Sequence, residues 1–201
     1  MPARIRPGRR TDLGGIVEVY NHYVSRSHAT FEVSPVAPED RLLWIKEHTS
    51  GGRHRLYVAE SERHGILGWA TTSPFLPRAA YATTVESSVY LQPRAVGRGL
   101  GSRLYRALFN AIRSEDIERI VAGVAQPNPA SLRLHLKFGF RHVGTFSRVG
   151  RKFGRYWDVA WYERPLHVSS HVRRNNAGDD GHPDAPSYHG AASPPTRAHG
   201  F

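Results

Sequence analysis

One stretch near the middle of the chain limits its fold more than any other. Thr84 to Leu91 alternates as a strand and runs straight into Pro93-Arg94-Ala95-Val96-Gly97-Arg98-Gly99-Leu100-Gly101-Ser102. A helix follows, with Leu104, Leu108, Ala111 and Ile112 on one face. Strand, glycine loop and helix in that order are a phosphate-binding arrangement on physical grounds. Glycines let successive N–H groups converge, and the helix N-terminus adds about half a positive charge. Arg94, Arg98 and Arg103 bring charge-assisted donors to the same place. Glycines also serve tight turns, so the loop alone does not name its ligand. Two familiar loops are excluded. A P-loop needs Gly-Lys-Ser/Thr, and no lysine is present here. The dinucleotide fingerprint needs G-x-G-x-x-G in the first βα turn, whereas Gly97, Gly99 and Gly101 lie halfway along the chain.

The flanking sequence predicts a mixed α/β domain with helices between central strands. Ile5 begins a short strand. Thr11-Asp12 offers an N-cap to a helix reaching about Ser25, with Leu13, Ile16, Val17, Tyr20, Tyr23 and Val24 at helical spacing. Pro38-Glu39-Asp40 opens a second helix around Leu42, Trp44 and Ile45. Leu56 to Ala59 and Ile66 to Thr72 form a hairpin over the polar turn from Ser61 to Gly65. Ile120 to Ala125 is a further strand. Pro127-Asn128-Pro129 breaks the chain, and Ala130 to Phe138 is a short helix that Gly139 ends as a left-handed C-cap. Phe140 to Val149 and Tyr156 to Leu166 close the domain as strands.

Composition narrows the partners. The formal net charge is +11, and of 28 basic residues only Lys46, Lys137 and Lys152 are lysines. Arginine suits phosphates and carboxylates, so an anionic partner is expected, and nucleic acid is the first to test. There are no cysteines, which excludes disulfide scaffolds, thiolate zinc sites and thiol catalysis and fits a reducing cytoplasm. The N-terminus lacks an apolar leader, and no run is apolar enough for a membrane span. From Val168 to Phe201 the texture turns to Ser, Pro, Gly, His, Asn and Asp without hydrophobic period, which predicts a disordered tail after a domain of residues 1–167. The tail's charges cancel, so the whole excess lies on the domain. Its histidines, from His167 and His171 to His199, are spaced too irregularly for a metal site, and no metal is expected.

The loop spacing left after these exclusions is R-x-x-G-x-G, from Arg94 through Gly97 to Gly99. It resembles the acetyl-CoA signature of the GNAT N-acetyltransferase superfamily. Two companions strengthen the likeness: Asn128-Pro129-Ala130-Ser131 opening the next helix, and Leu134-His135-Leu136-Lys137-Phe138-Gly139-Phe140 ending it. Within that superfamily, Ile16 to Val24, Ala29-Thr30-Phe31, Thr84 to Leu91, Pro74-Phe75 with Arg78 and Ala80-Tyr81, and Gly150 to Asp158 resemble the phosphinothricin and methionine sulfoximine/sulfone N-acetyltransferases. The resemblance covers about residues 4–166. It implies a GNAT fold and direct acetyl transfer from acetyl-CoA to the amino group of a small amino-acid-like substrate, in an enzyme that is commonly a homodimer.

Acetyl transfer needs an amine freed of its extra proton, a thioester held beside it, and a proton for the departing thiolate. Glu86 interrupts an otherwise apolar strand just before the loop and is the expected base, a role the resemblance also gives it. The resemblance places cofactor contacts at Val89, Tyr90 and Leu91, at Arg94, Gly97, Arg98, Gly99, Leu100, Gly101 and Ser102, and at Asn128 and Ser131. His135 stands where most relatives carry a tyrosine as the acid for the thiolate. For the acceptor, Arg78 and Lys152 are the expected cations, and Phe31, Tyr81 and Tyr156 the expected walls, beside Glu86. Without cysteine, an acetyl-cysteine intermediate is impossible. Acetylation of peptide or ribosomal-protein N-termini is the alternative within the enzyme class. A basic nucleic-acid-binding protein is the alternative outside it, although no helix-turn-helix, RNA-binding or zinc-finger motif is present.

Overall fold

A computed structural model describes residues 3–49 and 51–167. The expected tail and its histidines beyond His167 lie outside these residues. The elements are β1 (Arg4–Pro7), α1 (Leu13–Arg26), α2 (Leu42–Thr49), β2 (Leu56–Ser61), β3 (Gly65–Pro74), β4 (Thr84–Leu91), α3 (Leu100–Ala111), β5 (Arg119–Ala125), α4 (Pro129–Lys137), β6 (Arg141–Lys152) and β7 (Arg155–Pro165). They form one mixed sheet in the order β1-β2-β3-β4-β5-β7-β6. Most neighbours are antiparallel, with tight hairpins joining β2 to β3 and β6 to β7. Among the described residues only β4 and β5 run parallel, because α3 carries the chain back over the sheet between them.

Both sheet faces are covered. On one, α3 lays Leu104, Tyr105, Leu108 and Ile112 against Leu67, Val85 and Ile120. On the other, α1 and α2 press Leu13, Ile16, Val17 and Ile45 onto Leu56, Val58, Ile66 and Trp69. The helical spacing in the sequence marks these faces correctly because each helix is apolar on one side only.

Two helix starts differ from expectation. Asp12 gives α1 no side-chain cap. Its carboxylate instead takes two 2.7 Å bonds from the buried Arg6 guanidinium and one of 2.8 Å from the Arg9 N–H. Arg6 also reaches Glu60 on β2, so the group fastens β1 to the start of α1. A buried guanidinium outcompetes a helix N-terminus for a carboxylate. Pro38 to Arg41 forms a 3₁₀ turn, and α2 proper begins at Leu42.

The end of α4 is as expected. Gly139 has φ +78°, its N–H reaches Leu136 O at 3.0 Å, and the Phe140 N–H reaches His135 O at 3.1 Å. This paired closure needs a left-handed residue after the helix, and it fixes the backbone of His135.

Candidate active site

Strands β4 and β5 pair over only three positions, Thr84 with Arg119, Val85 with Ile120 and Glu86 with Val121, and then part. Beyond that point, among the described residues, the β5-side edge of β4 has no partner strand. Gln92 N–H bonds Leu67 O on β3, so strand alternation turns the main chain of Leu91 and Val89 the other way, toward the opening. Tyr23 Oη already donates to Leu91 O at 2.6 Å. The opening is a cleft of about 390 Å³ whose walls include Val89, Leu91, Tyr105, Asn128, Ser131 and His135. At its end, Gly97 and Gly99 hold φ +76° and +75°, and Gly99 is the N-cap of α3. That left-handed pair lets the loop turn its N–H groups toward an anion, so the site fits a long ligand with phosphate at one end.

The arginines around the loop divide. Arg94 and Arg98 are exposed; Arg94 is steadied by Gln92 through a 2.6 Å bond. Arg103 donates instead to Ala3 O at 2.6 Å, tying α3 to the chain start. Asn128 Oδ1 caps α4 by accepting the Ser131 N–H at 3.1 Å, which keeps its side chain at the cleft wall.

His135 is buried, with Nδ1 2.8 Å from Ser131 O and Nε2 3.0 Å from Tyr105 Oη. A carbonyl can only accept, so Nδ1 carries the ring proton. Burial lowers the ring's pKa and keeps it neutral at pH 7. Nε2 then accepts from the Tyr105 hydroxyl. Spacing alone did not single out Tyr105, because it sits on the apolar face of α3 among core residues.

The other face of β4 holds a second hollow of about 160 Å³. Its floor includes the cross-strand pairs Trp69 with Tyr90 and Thr71 with Ser88, and ends at Ser73, the cross-strand partner of Glu86. Tyr20 and Trp44 roof it, and Arg41 is the charged residue in its wall. Ser88 and Tyr90 line this hollow and the cleft alike, so the two spaces meet across β4. Glu86 neighbours Ser88 on the same face of β4, at the last position paired with β5, and its carboxylate meets Gly123, a wall residue of the cleft. Burial raises its pKa above the ordinary glutamate value, and a hydrogen bond from the Gly123 N–H offsets part of the shift.

The remaining acceptor candidates are not gathered there. Lys152 is buried, and its ammonium donates to the carbonyls of Ser27 and Thr30 at 2.8 and 2.7 Å and, more weakly, Tyr23 at 3.3 Å. It clamps the end of α1 to the β6–β7 hairpin. Arg78 and Tyr81 line a different hollow of about 400 Å³ with Arg53 and His54, which shares no wall with the first. Phe31 packs over Gly150, and Tyr156 stands exposed beneath the guanidiniums of Arg148 and Arg151. Arg41, by contrast, had no motif to mark it out from the other arginines.

Comparison with known proteins agrees with this geometry. Residues 5–161 match the acetyltransferase (GNAT) domain family. A phosphinothricin N-acetyltransferase of Streptomyces coelicolor is 56% identical over 164 residues, covering 81% of this chain and 96% of the relative. The L-methionine sulfoximine/L-methionine sulfone acetyltransferase of Pseudomonas aeruginosa is 33% identical, over 83% of this chain and 96% of its own. A crystal structure of a phosphinothricin acetyltransferase from Sinorhizobium meliloti in complex with acetyl-CoA superposes with a TM-score of 0.79 at 32% identity, covering 88% of this chain and 95% of that one. With its parted central strands and glycine loop at the head of α3, this chain belongs to the GNAT family of acetyltransferases.

Proposed function

We propose that the protein acetylates the amino group of a small amino-acid-like substrate, such as phosphinothricin or methionine sulfone, at the expense of acetyl-CoA. The observation that carries this reading is the meeting of two spaces of different character across β4. One is a long cleft leading to an anion-binding loop; the other is a hollow of about 160 Å³ with hydroxyls, aromatics and one arginine. A hollow of that size suits one small amino acid. The functions named for its relatives supply the substrate class.

Acetyl-CoA brings an activated acetyl thioester. The Gly97 to Ser102 loop and Arg98 would hold its phosphates, Asn128 and Ser131 its stem, and the main chain of Val89 and Leu91 would donate to the thioester oxygen. Glu86 takes the proton that the amine must lose, directly or through a water. Its raised pKa favours a base that releases the proton again near neutral pH. Tyr105 and His135 together supply the proton for the departing sulfur: the Tyr105 hydroxyl, at the cleft wall, rests with its proton on Nε2 of neutral His135 and turns that proton to the sulfur as the thiolate forms. Arg41 is our choice for the acceptor's carboxylate, ahead of Arg78 and Lys152.

Three further readings belong with this one. Residues 1–167 form the catalytic unit. The exposed edge strand β6, with Val143, Phe146 and Val149 in the open, pairs with a second copy to make a homodimer. The working location is the cytoplasm, supported by the lack of cysteine. A free-thiol assay with acetyl-CoA tests the main proposal against phosphinothricin, methionine sulfoximine, methionine sulfone, ordinary amino acids and short peptides. Turnover is expected with the amino-acid analogues. Turnover with peptides alone would move the assignment to N-terminal acetylation.

A further inference from the structure

The floor of the acceptor hollow contains a polar pair that the chemistry above does not use. His48 on α2 is buried, with Nδ1 2.7 Å from Trp44 O and Nε2 2.9 Å from Ser73 Oγ. The carbonyl has no proton to give, so Nδ1 carries the hydrogen. Burial keeps the ring neutral, and a neutral imidazole protonated at Nδ1 offers only a lone pair at Nε2. Ser73 therefore directs its single O–H at His48. Toward the hollow, which it lines, its oxygen presents lone pairs alone.

Ser73 is the cross-strand partner of Glu86 and shares its face of the sheet. Directly opposed residues hold their Cβ atoms about 5 Å apart, so the two side chains can reach one group lying over β3 and β4. We propose that Ser73 Oγ, fixed as a hydrogen-bond acceptor by His48, binds the acceptor's amino group beside Glu86; this rests on the acceptor reading given above. A neutral amine has two N–H bonds and one lone pair. With one N–H on Ser73 and the other on Glu86, the lone pair is aimed away from both, toward the cleft. A serine hydroxyl free to rotate would turn its O–H onto that lone pair and quench the nucleophile. Ser73 thus contacts substrate, and His48 is a positioning residue acting through it.

The test measures acceptor and acetyl-CoA kinetics of Ser73→Ala, Ser73→Thr, His48→Phe and the Ser73→Ala/His48→Phe pair, with phosphinothricin and methionine sulfone as acceptors. Ser73→Ala should lower kcat/KM for the acceptor by about tenfold or more, the effect of one lost hydrogen bond, and leave KM for acetyl-CoA unchanged. Ser73→Thr should restore most of it. His48→Phe should be costly alone but add little in the Ser73→Ala background, because its effect runs through that hydroxyl. Unimpaired Ser73→Ala, or a His48→Phe loss that adds in full to it, overturns the proposal. If His48→Phe does not fold, the Ala and Thr variants of Ser73 decide alone. A wild-type enzyme that acetylates neither acceptor overturns the acceptor reading itself, which Ser73 variants of an active enzyme cannot do.

Discussion

Tyr105 and His135 show how a single proton position sets what a side chain can do. With Nδ1–H engaged by Ser131 O, Nε2 of neutral His135 accepts the Tyr105 hydroxyl, and in our proposal that hydroxyl turns its proton from Nε2 to the departing sulfur. Tyr105→Phe should therefore lower kcat by about tenfold to a hundredfold, in the range of a lost general acid or oriented donor. His135→Ala should fall in the same range, and the double variant should be little worse than either. Full kcat in Tyr105→Phe by steady-state kinetics would return the donor role to His135 alone. Glu86 was legible from sequence because a carboxylate interrupting an apolar strand has few reasons to be there. Tyr105, Arg41, Ser73 and His48 were not, because the neighbours that single them out are brought together only by folding.

At the scale of elements, Lys152 replaces a substrate contact with a structural one. Its ammonium satisfies carbonyls at the end of α1 and in the 27–30 segment, where lone carbonyls meet the negative end of the helix. Lys152→Met should cost about 2–3 kcal/mol by leaving buried acceptors unpaired. Urea denaturation would read this as a lower midpoint at unchanged slope, with KM for the acceptor near wild type in the folded fraction. A large rise in acceptor KM with no loss of stability would put Lys152 back in the site. The elements themselves were readable: the hairpin of β2 and β3, the strand-loop-helix of β4 and α3, and the Gly139 closure all follow local rules. Strand order and the point where β4 leaves β5 do not. The floor of the smaller hollow includes the pair Thr71 with Ser88 and Ser73, the partner of Glu86, and this register is set by the whole sheet. The Thr11-Asp12 cap failed for the same reason, since Arg6 reached Asp12 from another element.

For the whole molecule, the net charge of +11 first pointed to nucleic acid, yet the fold gives several arginines local duties: Arg6 with Asp12 and Glu60, Arg103 with Ala3, Arg53 with Asp116. Arg94 and Arg98 remain beside an anion-binding loop. The open edge of β6 predicts a dimer by sedimentation, and a Phe146→Glu/Val149→Glu variant should sediment as a monomer; a wild-type monomer would contradict it. The central claim is acetyl transfer from acetyl-CoA to a small amino acid with Glu86 as base. It is tested most directly by thiol release across pH for wild type and Glu86→Gln, with acetyl-CoA binding followed by calorimetry. A buried carboxyl with a raised pKa must lose its proton to act, so wild-type kcat/KM should rise with pH through a limb above the ordinary glutamate value. Glu86→Gln should bind acetyl-CoA normally, lose about 10²–10⁴-fold in kcat, and lack that limb. A Glu86→Gln enzyme with wild-type turnover and the same pH profile would contradict the account.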